Sequence, residues 1–155
     1  MKLGTMLKLT GTYTLSIIGT NGKVKDSWVI KNIVTNAGKA QVASLVGDST
    51  ATPFTYIALG TSSTAVGASQ TALQAEITDS GLQRASGTVS RTTTSVTNDT
   101  YTLTNTFTAT GSKTIEEVGV FNASSSGTML SRALTGTKSL SSGEQITVTY
   151  ACALS

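Results

Sequence analysis

Period-two alternation of apolar and hydroxyl side chains constrains this chain more than any other feature. In 100–110, TYTLTNTFTAT, the residues Tyr101, Leu103, Asn105 and Phe107 fall on one side of an extended backbone and the threonines on the other. Successive strand side chains point to opposite faces, so the run reads as a half-buried strand, whereas a helix would mix the two sets. The same alternation recurs in 145–154, QITVTYACAL, through Ile146, Val148, Tyr150, Cys152 and Leu154, and again near the start through Tyr13, Leu15 and Ile17. Thr supplies 30 of the 155 residues and Ser 20, against a hydrophobic content of 38%. Disorder couples low hydrophobicity to high net charge, but the net charge here is only +3. Thr is β-branched and packs well on a pleated surface.

The expectation is a mainly β protein, an antiparallel β-sandwich or a jelly-roll-like barrel, with one short helix and an N-terminal β-hairpin. The length fits a single domain over 1–155: an N-terminal arm at 1–9, a hairpin at 10–34 and a sandwich core at 35–155. Asn21-Gly22 predicts a type I′ turn in the hairpin, with Trp28 and Ile30 on one face of the return strand and Val29 on the other. The helix falls at about 36–47, capped by Thr35 or Asn36 and ended by Gly47, with Ala40, Ala43, Leu45 and Val46 near helical spacing. A strand over 54–60 puts Phe54, Tyr56 and Ala58 on one face and Ile57 and Leu59 on the other. TALQAEI, 71–77, predicts one or two helical turns capped by Thr71. Further strands are expected at 88–96 (an edge), 114–123, 129–134 and 145–154. Gly119, inside a strand, predicts a bulge or the close approach of another backbone, a subunit interface included.

The residue inventory excludes most catalytic constellations. There is no histidine and only one cysteine, Cys152. Ser-His-Asp and Cys-His arrangements, an internal disulfide and a cysteine-based zinc site are therefore impossible within this chain. Cys152 lies in an apolar alternation and is expected to be a buried structural thiol. No phosphate-loop or dinucleotide-binding glycine pattern is present. The sequences NDT (98–100) and NAS (122–124) match the glycosylation consensus, as short Thr/Ser-rich stretches do by chance. Glu116 and Glu117 are adjacent on a predicted strand, where neighbours diverge. They are therefore candidates for structural ion pairs rather than an acid–base pair, with Arg84, Arg91 and Arg132 available. Glu76 is a candidate partner of Arg84 or Arg132. No enzyme activity, cofactor or metal is expected.

Charge is unevenly distributed. Residues 1–39 hold six Lys and one Asp, while 40–155 hold five Lys or Arg and seven Asp or Glu. Lys23, Lys25 and Lys31 make the hairpin either a solvated basic face or a basic edge that docks on an acidic partner. Arginines are few and no aromatic residues interleave with the lysines, so no nucleic-acid partner is expected. No secretory pattern and no run near the ~18 apolar residues of a membrane span is present, so no membrane partner is expected either.

Four stretches carry a resemblance: VTNAGKAQVASLV (34–46), YIALGTSSTAVGASQTALQAEI (56–77), TIEEVGVFNASSSGTMLSRAL (114–134) and SGEQITVTYACAL (142–154). Together they resemble small structural proteins of tailed-bacteriophage virions, assigned to capsid decoration (cement) or to tail fibres, collars and baseplate accessories. The resemblance spans about 34–154 and leaves the hairpin outside. It implies a virion protein made in the host cytoplasm. On the capsid surface its partners would be the major capsid protein and copies of itself as a dimer or trimer; in the alternative they would be tail proteins. A carbohydrate-binding module is a third reading. It would need a cleft of exposed aromatics, and the chain holds only eight aromatic residues, most on alternating core faces.

Overall fold

The computed structural model describes residues 8–155. Its strands are β1 (Leu9–Ile18), β2 (Val24–Lys31) and β3 (Ile33–Val34), followed by helix α1 (Asn36–Gly47), then β4 (Tyr56–Gly60), β5 (Ala85–Ser86), β6 (Thr88–Thr92), β7 (Thr100–Thr108), β8 (Lys113–Phe121), β9 (Met129–Leu140) and β10 (Gln145–Leu154). They form two five-stranded antiparallel sheets, in the orders β2-β1-β10-β7-β6 and β3-β9-β8-β4-β5. These are the two sheets of a sandwich. Neither closes on itself, which removes the barrel alternative.

The alternation works as expected. Tyr13, Leu15, Ile17, Leu103, Phe107, Ile146, Val148 and Tyr150 point inward from the first sheet and meet Ile57, Leu59, Ile115, Val118, Val120 and Leu130 from the second. Each fully buried side chain of this size contributes about 1.5–3 kcal/mol over its exposed state. Cys152 is buried in the same core, and that burial pushes its thiol above the ordinary range.

Several local expectations are corrected. The predicted arm over 1–9 falls mostly outside the described residues; of its last two, Lys8 exchanges backbone hydrogen bonds with Ser155 and Leu9 opens β1. The hairpin ends at Lys31, because Ile33 and Val34 pair with β9 in the opposite sheet. Its turn is not type I′. Only Gly22 has positive φ (75°), and its N–H donates to Gly19 O at 2.9 Å, as in a type I turn closed by a bulge glycine. Helix α1 matches its expected span, and Thr35 caps it by accepting from Gly38 N–H at 2.9 Å. Its one buried residue is Gly38, however, and only Val42 packs partly on the main core. Leu45 and Val46 are exposed, and Gly47 is no left-handed cap, since Asp48 ends the helix in extended conformation. Phe54 precedes β4 and joins Ile57 and Leu59 in the main core, leaving Tyr56 and Ala58 on the other face. Segment 71–77 forms no helical turn. Gly119 is not a bulge: it pairs in register with Ala58 and Arg132, and a Cβ there would come within 2.9 Å of the Leu73 side chain. The β8–β9 irregularities lie instead between Ile115 and Glu117 and between Val120 and Phe121.

Candidate functional site

The outward face of the first sheet is made of hydroxyls. Registers align Thr88, Thr104, Thr149, Thr14 and Val29 in one row across five strands, and Thr106, Thr147, Ser16 and Ser27 in the next. Neighbouring hydroxyls bond each other: Thr104 to Thr149 at 3.0 Å, Thr106 to Thr147 at 2.8 Å and Ser16 to Ser27 at 3.0 Å. The three central strands β1, β10 and β7 contain no charged residue at all.

Edge strand β2 borders this face, and it separates the three candidate lysines rather than gathering them. Lys25 is bonded to the nearly buried Glu144. The Lys25 ammonium, then the amide of Ser141, hold the Glu144 carboxyl below the usual carboxylate range. Lys23 lies in the hairpin loop and Lys31 at the far end of the strand, roughly 25 Å apart at the rise of an extended chain. Both are exposed, and neither has a carboxylate partner among the described residues. Between them Asp26 pairs with Lys138 at 2.7 Å, and the Lys138 ammonium lies 4.3 Å over the ring of Trp28.

The carboxylates and arginines organise the second sheet's outer face. Glu117 and Arg132 are buried there and pair at 2.6 Å. Glu117 is diagonal to Arg132 across β8 and β9, within reach of long side chains. Its two oxygens also accept the N–H groups of Ala75 (2.8 Å) and Gln74 (3.1 Å). Those amides, predicted to be helical, are thus committed to a carboxylate. Arg132 Nη1 donates to Gln70 Oε1 at 3.0 Å and to Ala65 O at 3.3 Å, while its Nη2 has no protein acceptor. One ion pair therefore straps the long 61–77 connection onto the sheet, and Leu73 inserts over Gly119 beside Phe121 and Met129.

Glu76 and Arg84 form a two-point pair, Nε to Oε1 at 2.8 Å and Nη2 to Oε2 at 2.6 Å. Arg84 Nη1 also donates to the carbonyls of Ala123 and Ser126, and its guanidinium stacks 3.6 Å from the Phe121 ring centre. Glu116 finds no arginine; its carboxylate accepts from the Thr137 hydroxyl at 2.9 Å. Gln70 and the three backbone groups that complete the strap gave no signal in the sequence, because none lies in a recognisable pattern with 117 or 132.

A cavity of about 290 Å³ opens between α1, which packs on β9, and residues of β1, β6, β7 and β10 in the first sheet, and a more open recess of about 670 Å³ adjoins it; Leu9 and Val42 line both. Among the described residues, no cluster of three or more His, Cys, Asp or Glu is placed to hold a metal ion, and no helix is long and apolar enough to cross a membrane. In comparisons with known proteins, no family model, curated protein or solved structure matches the chain.

Proposed function

We propose that this chain is a structural protein of a tailed-phage virion. It would be held on the capsid surface as a decoration protein by the major capsid protein and by copies of itself, and would do no chemistry of its own. The carrying observation is the hydroxyl face of the first sheet, whose three central strands hold no charged residue. Its hydroxyls already bond one another, so covering them strands few polar groups, and no ion must be desolvated. Such a face suits broad, shallow contact repeated many times, in which multivalency adds up weak interfaces. The four sequence stretches that resemble phage virion proteins support the same reading. Lys23 and Lys31, free at the two ends of β2, would address acidic sites on two neighbouring shell subunits rather than one.

The test is copy number and occupancy. Gel densitometry of purified virions should show the chain in hundreds of copies, whereas a count of tens or fewer would move it to the tail. Neutralising Lys23 and Lys31 together should reduce occupancy on stripped capsids, most at low salt, where exposed charges are least screened. A chain that stays monomeric and binds no particle refutes the proposal.

A further inference from the structure

Helix α1 is left with an unused apolar side. Of its twelve residues only Gly38 is buried, and Val42 alone packs partly on the main core. Leu45 is 37% exposed and Val46 84%. Across the cavity, Val89 on edge strand β6 is 46% exposed. Apolar side chains thus face one another across an open groove, with Leu9 and Val42 as its floor and Leu130 and Tyr101 deeper in.

The rim is charged, and all of one sign. Lys8 and Lys39 border the recess beside α1, and Arg91 borders the cavity on the β6 side. All three are exposed and none takes part in a salt bridge among the described residues. No Asp or Glu lines either part of the groove. A symmetric contact with a second copy would bring these cations against themselves. A partner with an apolar stripe flanked by carboxylates would meet apolar surface on the floor and opposite charge on both rims.

We infer that the groove between α1 and the β6 end of the first sheet is a docking site for an acidic amphipathic helix of another protein. α1 is about 18 Å long at the helical rise, so it can align with three turns of a partner helix whose anchors recur at i, i+3, i+4 and i+7. The inference deepens the assembly reading above and rests on it only in taking the partner to be a protein. It adds a contact at α1 to the hydroxyl face and the β2 lysines.

A fluorescent 16-residue helix of Leu and Glu, with Leu at i, i+3, i+4 and i+7, serves as the probe, and its Leu/Lys counterpart as the control. Anisotropy with the full chain should give saturable binding of the Leu/Glu helix that weakens as salt rises, and none of the Leu/Lys helix. Val46→Glu and Lys39→Glu change exposed residues and should leave the melting temperature within the range of surface substitutions, yet each should weaken the probe at least tenfold. Several results would overturn the inference: no binding of the Leu/Glu helix, equal binding of both peptides, variants that bind like the parent, or tight binding to anionic vesicles in place of the peptide. So would a dimer that Val46→Glu dissociates, which gives the groove to a second copy. Probe binding that emerges only when residues 1–7 are removed would assign it to the chain's own N-terminus. Binding of the probe by a chain that associates with no virion would leave the docking site standing and refute the virion reading alone.

Discussion

Removing Arg132 should do more damage than any other single substitution outside the apolar core. Its guanidinium and the Glu117 carboxylate are almost wholly shielded from water, with side chains 1% and 0% exposed. Arg132→Met preserves length and apolar stem but strands the buried Glu117 carboxyl without its cation, supported only by the amides of Gln74 and Ala75. Stranding one member of a buried pair costs about 3–5 kcal/mol. For a domain of this size each kcal/mol lowers the melting temperature by roughly 2–4 °C, which puts the expected fall at roughly 6–20 °C. Adding Glu117→Gln removes the stranded charge and keeps one carbonyl acceptor for the two amides. The double variant should therefore recover most of the loss and retain a deficit of about 1–3 kcal/mol for the unsatisfied N–H. The charge-swapped pair, Glu117→Arg with Arg132→Glu, should recover little, because arginine at 117 cannot accept from either amide. Urea unfolding followed by tryptophan fluorescence at constant m-value measures all three. A cost below 1 kcal/mol for Arg132→Met, or a double variant no better than the single one, would refute this account of the strap.

The same logic applies at Glu76–Arg84. Reversing both charges should fail to restore stability, since Arg84 also donates to the Ala123 and Ser126 carbonyls and a glutamate there cannot; thermal melts of the two single variants and the double decide it. Gly38→Ala places a Cβ 2.5 Å from Leu130 O. It should destabilise by about 1–3 kcal/mol, whereas Gly47→Ala, with open space around it, should stabilise by about 0.5–1 kcal/mol; denaturant midpoints of opposite sign are the check. Acid should weaken the fold. Lys138 beside Asp26, Lys113 beside Asp79 and Lys25 beside Glu144 hold those carboxyls below their ordinary values, and the amides of Val96 and Thr94 do so for Asp99. Folded-state values below unfolded ones mean that this stabilisation is complete above the ordinary carboxylate range and lost as pH falls through the folded values. The urea midpoint should therefore hold from about pH 7 to pH 5 and drop below about pH 4; a midpoint that rises on acidification contradicts the assignment.

Alternation alone determined which residues face inward in β1, β7 and β10, because a side-chain period of two leaves a strand only one way to bury its apolar set. Capping chemistry likewise narrowed the start of α1 to Thr35 or Asn36, and the structure chose Thr35. The sequence also singled out Glu76, Glu117, Arg84 and Arg132 as pairing candidates, but it left Arg84 and Arg132 interchangeable as partners of Glu76. Tertiary structure made that choice: the β8–β9 register sets Arg132 diagonal to Glu117, and the strapped 61–77 segment delivers Glu76 to Arg84. It also decided that Ile33 and Val34 cross to the second sheet, that Gly119 yields its space to Leu73, and that 71–77 gives its amides to a carboxylate instead of a helix. Each of these depends on what a distant segment brings to the same point in space. Local patterns specify which way a side chain points, and only packing specifies what it meets there.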